Sequence, residues 1–70
     1  MDRISITLHT DPDGSRYYRA VDEHGREGLS DRVPGGHTLD AHALSSLAAQ
    51  SVARLGEVIE AVPYHRSERR

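Results

Sequence analysis

The sequence predicts a small α+β domain, a three-stranded antiparallel sheet (β-β-β) followed by one long C-terminal α-helix packed on one face. Three observations carry this. Apolar and polar residues alternate over residues 3–10, two Asp-x-x-Gly turns occur at Asp11–Gly14 and Asp22–Gly25, and apolar residues recur at steps of three and four from Thr38 to Val62. Strands that precede the helix, rather than alternate with helices, point to antiparallel pairing.

The first strand, Arg-Ile-Ser-Ile-Thr-Leu-His-Thr over residues 3–10, places Ile4, Ile6 and Leu8 on one side and Ser5, Thr7 and His9 on the other. That is a half-buried strand with one wet face. Asp11-Pro12-Asp13-Gly14 follows, with proline suited to the second position of a type I turn and glycine to its left-handed end. The second strand, Ser15 to Asp22, divides into Tyr17, Arg19 and Val21 on one face and Arg16, Tyr18 and Ala20 on the other. A core built on Val21 takes Tyr17 inward; the reverse choice takes Tyr18. Asp22-Glu23-His24-Gly25 is a second turn. Arg26 to Ser30 is a short third strand anchored by Leu29, and Asp31 to Gly36 is a loop opened by Pro34 and Gly35-Gly36.

Two starts suit the helix. Thr38 can cap it, with Asp40 in the first turn; or Asp40 is the cap and Leu39 packs on Leu44 as a hydrophobic staple, which accounts for more residues. Leu44, Leu47, Ala48, Val52, Leu55, Ile59 and Val62 line one stripe, and His42, Ser46, Gln50, Arg54 and Glu57 the opposite one, with Glu60 near its edge. Gly56 weakens the interior by about 1 kcal/mol relative to alanine. Pro63 is expected to end the helix, giving a single domain over residues 1–63 and a flexible polar tail over 64–70, with residues 62–66 as an alternative short strand.

A helix of about 25 residues runs roughly 37 Å, farther than five- or six-residue strands can cover. The excess stripe predicts an oligomer or partner interface at Leu47, Ala48, Val52, Leu55, Ile59 and Val62. Small residues at Ala41, Ala48, Ala49 and Ala53 permit close approach there. The chain has no Phe and no Trp, so a 70-residue core lacks the residues that usually dominate small interiors, which also favours a homodimer or folding that depends on a bound partner.

Composition narrows the function classes. With no cysteine there is neither a disulfide framework nor thiol chemistry, in keeping with a cytoplasmic location. No apolar run approaches bilayer-spanning length, and Asp2 interrupts the layout of a signal peptide. Every basic residue is Arg, so no lysine can form a Schiff base. A net charge of −2 disfavours a general nucleic-acid binder.

No residue set predicts catalysis, a cofactor or a metal. His37 and His42 are five apart, outside the three-or-four spacing that puts two ligands on one helix face, while His9, His24 and His65 fall on separate elements. Asp40, His42 and Ser46 are sequence neighbours without an oxyanion hole. Pro34-Gly35-Gly36-His37-Thr38 leads into a helix N-terminus but lacks the lysine and spacing of a phosphate loop. A nucleic-acid accessory role would use Arg16 and Tyr18 on the wet sheet face, with Arg19, and Arg66, Arg69 and Arg70 in the tail.

The layout Tyr18, Gly28-Leu29 and Gly36-His37-Thr38-Leu39-Asp40-Ala41 ahead of a long helix resembles the N-terminal domain of HicB-type antitoxins over residues 4–60. The family's Pro-Asp-Leu-Pro-Gly run is replaced by Asp31-Arg32-Val33-Pro34-Gly35, and no C-terminal DNA-binding segment follows. The resemblance implies a non-catalytic, oligomer-forming protein that masks a protein partner, as an antitoxin-like or phage-type inhibitor does. It does not imply repressor activity.

Overall fold

The computed structural model describes residues 3–67, with side chains through residue 60. Strands β1 (Ile4–Thr10), β2 (Arg16–Asp22) and β3 (Glu27–Leu29) precede one helix, α1 (Ala41–Ser67). The three strands form one antiparallel sheet in the order β1-β2-β3, and α1 packs on it. The α+β class and the order of elements are as expected.

Two turns of one design set the strand registers. In each, an aspartate carbonyl accepts from the glycine three residues on, Asp11 from Gly14 at 2.9 Å and Asp22 from Gly25 at 3.2 Å. Gly14 and Gly25 adopt φ of 92° and 84°, left-handed values that a side chain disfavours. The outer bonds, Asp11 N–H to the Ser15 carbonyl and Asp22 N–H to the Arg26 carbonyl, close both hairpins. Each is a type I turn followed by a glycine bulge.

The second turn also holds a buried carboxylate. Asp22 accepts from the backbone N–H groups of His24 and Arg26, both at 2.9 Å, and from the Arg26 guanidinium at 2.6 Å. Burial alone would push this carboxyl up, but the Arg26 backbone, the Arg26 side chain and the His24 N–H outweigh it and hold Asp22 below the ordinary 3.8. A carboxyl lowered by folding stabilises the fold above its unfolded pKa, and that contribution is lost as pH falls through the lower folded value. Wild type should therefore exceed Asp22→Asn in urea midpoint by a constant margin at neutral pH, and the margin should shrink below pH 3.8. A margin independent of pH would contradict the assignment.

Asp40 caps α1: its carboxylate accepts the Ala43 N–H at 2.8 Å and its carbonyl takes the first helical bond from Leu44 at 3.0 Å. The helix thus starts at Ala41, not Thr38, with half-buried Leu39 and Leu44 placed as the staple requires. Its far end corrects a second expectation. Pro63 does not stop the helix, which continues to Ser67. Proline fixes φ near the helical value; inside a helix it costs one hydrogen bond and a clash of its ring with the carbonyl four residues back, a penalty and not a prohibition. Residues 62–66 are accordingly helical and not a strand, and α1 reaches into the stretch expected as a flexible tail.

The core is built of small residues. Ala20 and Leu55 are the fully buried apolar side chains among the described residues, at 0% and 1% exposure. Gly28 of β3 lies beneath α1 so closely that an added Cβ would stand 2.2 Å from the Leu55 nitrogen and 2.4 Å from the Ser51 carbonyl oxygen. Buried Ser51 turns its hydroxyl back to the Ala48 carbonyl at 2.7 Å, and buried Ser30 accepts the Tyr18 N–H at 2.9 Å while donating to the Asp31 carbonyl. Helix and sheet meet along Ala20, Gly28, Ser51 and Leu55. The seam is narrow.

Candidate functional site

Cross-strand partners share a face in an antiparallel sheet, so the register decides which residues α1 can cover. Ile4 pairs with Asp22, Ile6 with Ala20 and Leu8 with Tyr18, and Ala20 pairs with Gly28. These residues form the helix side. Ser5 pairs with Val21, Thr7 with Arg19 and His9 with Tyr17, and Val21 and Arg19 pair with Glu27 and Leu29. These form the open side. Tyr18 is therefore the tyrosine on the core side. Val21, on which one of the two expected cores was built, and Leu29, the expected anchor of the third strand, belong to the open face and are half-buried there.

The helix covers only part of its own side. On the flank nearest the β3 exit, Arg54 donates to the Leu29 carbonyl at 2.9 Å and pairs with Asp31 at 3.0 Å. Gln50 accepts the Asp31 N–H at 2.6 Å and donates to its carboxylate at 3.3 Å. Both belonged to the stripe expected to face solvent; the structure engages them instead with Leu29 and Asp31 at the β3 exit. At 100° per residue the opposite flank carries Ala48, Val52 and Ile59 and overlooks β1. With α1 seated over β2 and β3, Ile6 and Leu8 remain 43% and 45% exposed although they point to the helix side. This bare strip of β1, roofed on one side by a half-buried apolar helix flank, is the candidate site.

Its backbone is equally unsatisfied. Asp22 N–H bonds to Arg26, Ser30 N–H to the Tyr18 carbonyl, and Arg16 and Val33 exchange both bonds, so even-numbered residues of β2 serve the β3 side. Antiparallel ladders alternate; the odd-numbered residues serve β1 through Ser5, Thr7 and His9. The N–H and C=O groups of Ile4, Ile6, Leu8 and Thr10 consequently point away from the sheet, along a seven-residue edge.

The open face carries a different arrangement. The rings of His9 and Tyr17 stack at 5.4 Å with 19° between planes, and the Arg32 guanidinium lies 4.3 Å from the Tyr17 ring centre. Arg32 is held by Asp11 at 2.6 Å and His9 by the Thr7 hydroxyl at 2.8 Å. Arg19 is paired with Glu27. A shallow concavity of about 350 Å³ between Arg3, Thr7, Arg19 and Glu23 adjoins them. Arg19 and Arg32 are each engaged by a carboxylate and Glu23 lines the concavity beside Arg3, which leaves little positive field for an anionic ligand.

Several candidates from the sequence take other roles. Arg16 and Tyr18 are not on the wet face: they share the helix side, Tyr18 is half-buried, and Arg16 donates to the His37 carbonyl to tie the loop to β2. The aromatic and cationic residues of the open face include instead His9, Tyr17, Arg19 and Arg32. Leu55 is not an interface residue but the centre of the subunit's own core, whereas Leu47, Ala48, Val52 and Ile59 are half-buried. Side chains of Val62, Arg66, Arg69 and Arg70 lie outside the described residues. Asp40 is committed to the helix cap beside exposed His42 and Ser46, so the glycine lead-in offers a carboxylate where an anion would sit. Arg32 was invisible as a partner of Tyr17 because a loop, not a period, brings them together. The His9–Tyr17 pair follows once the Asp11–Gly14 turn sets the register.

Among the described residues, no helix is long and apolar enough to cross a membrane. No group of three or more His, Cys, Asp or Glu residues among them could hold a metal ion. Comparisons with protein-family models, curated proteins and solved structures find no match.

Proposed function

We propose that this chain is a small non-catalytic protein–protein interaction module that works as a homodimer and masks a protein partner, in the manner of an antitoxin or a phage-type inhibitor. One observation carries the reading: among the described residues the fully buried apolar side chains are Ala20 and Leu55, while Ile6 and Leu8 of the open β1 strand stay exposed. A soluble monomer rarely keeps such residues bare beside an open strand edge. The helix adds to this, since 27 residues span about 40 Å over strands of seven residues spanning about 23 Å. The resemblance to HicB-type N-terminal domains supports the masking role.

Sedimentation equilibrium of the purified chain tests the association on which the reading depends. The expected result is a species of two 7.8 kDa chains at micromolar concentration. A folded, cooperatively melting monomer at that concentration would remove the reading.

A further inference from the structure

We infer that the occupant of the bare β1 edge is a second copy of this chain, paired antiparallel along β1 with the two-fold axis at Thr7. The inference rests on the interaction-module reading and specifies how the homodimer is built. Centring the axis at Thr7 overlaps all seven residues of β1, so Ile4, Ile6, Leu8 and Thr10 of each copy exchange their outward backbone groups with the other. Ile6 then faces the partner's Leu8 and Ser5 faces the partner's His9. Arg3, exposed at the start of the strand, faces the partner's Asp11, an opposite-charge pair at each end.

The product is a six-stranded sheet with both helices on one side. The four exposed side chains from Ile6 and Leu8 form the floor of a trough between them, and the flanks carrying Ala48, Val52 and Ile59 form its walls.

The occupant is a second copy rather than an open-ended stack because only one edge invites pairing. β1 is seven residues long and lacks the proline, lysine or bulge that protects natural edges. The other edge, β3, has three residues, and a bridge from Val33 to Arg16 follows it. A two-fold contact uses up β1 in both chains and closes the assembly.

Two variants test this in the full chain. Ile6→Pro deletes an N–H that faces only the free edge, so the internal β1–β2 ladder keeps its bonds; sedimentation should show a dimer dissociation constant raised about tenfold or more with native circular dichroism. Thr7→Cys places two thiols across the axis in a non-hydrogen-bonded pair, where Cα atoms sit about 4.5 Å apart, within disulfide reach. Since the chain has no native cysteine, oxidation should give a single cross-linked dimer on a non-reducing gel. If Ile6→Pro fails to fold, the cross-link decides. A wild-type dimer that neither weakens with folded Ile6→Pro nor cross-links through Thr7→Cys overturns the β1 pairing alone; a dimer that weakens but does not cross-link overturns the Thr7 axis. A folded wild-type monomer overturns the interaction-module reading as well.

Discussion

Gly28→Ala should cost this protein its helix-on-sheet packing. The added methyl would stand 2.2 Å from the Leu55 nitrogen, 2.4 Å from the Ser51 carbonyl oxygen and 2.8 Å from the Leu55 Cα. All three are backbone atoms, so no side-chain rotation relieves the clash. Van der Waals contact requires α1 to lift by about 1 Å or more, which opens the seam where Ala20 and Leu55 are buried. Overpacking of this kind costs about 1–3 kcal/mol, occasionally more, against a total of a few kcal/mol for a domain of this length. Each kcal/mol moves the melting temperature by about 4–8 °C in so small a domain. A thermal melt by far-UV circular dichroism should show a drop of about 10 °C or more, or no cooperative transition. A wild-type melt would mean that the helix does not rest on Gly28.

Leu55→Arg should unfold the chain rather than merely dissociate it. Leu55 is 1% exposed and presses on the strand that holds Gly28. Truncating such a leucine to alanine typically costs 2–5 kcal/mol, and an unpaired buried guanidinium costs more. The loss is comparable to the whole stability of the domain. Ala53→Arg, on an exposed part of the same helix, serves as the control and should stay within about 0.5 kcal/mol of wild type. The pair separates two roles for position 55. A core residue gives an unfolded Leu55→Arg protein with little helical signal; an interface residue gives a folded monomer, and that outcome would return Leu55 to the partner surface.

Which parts of this fold were legible follows from where the signal resides. The strict alternation of Ile4, Ile6 and Leu8 identified β1, and two Asp-x-x-Gly sequences identified both hairpins, because a left-handed glycine after a type I turn is a local requirement. Asp40 with Leu39 and Leu44 marked the helix start for the same reason. Pro63 misled because its effect on a helix is a cost, not a prohibition. The two faces of β2 carry similar residues, so neither Tyr17 nor Tyr18 could be assigned inward from its own strand. Nor does periodicity separate a leucine that faces its own sheet from one that faces a partner. Leu55 and Ile59 belong to one stripe and have different surroundings.

By itself the sequence determined the element order and the turn geometry. Both are set by residues within a few positions of one another. Only the tertiary structure decided that α1 sits over Gly28 and beside β3 rather than centrally, which engages Gln50 and Arg54 at the β3 exit, puts Tyr18 on the covered face and leaves Ile6 and Leu8 bare. The physical reason is close packing: a helix settles where its backbone can approach nearest, and the gap that permits this is made jointly by Ala20, Gly28 and Ser51, residues distant in the chain whose smallness has no meaning until they meet.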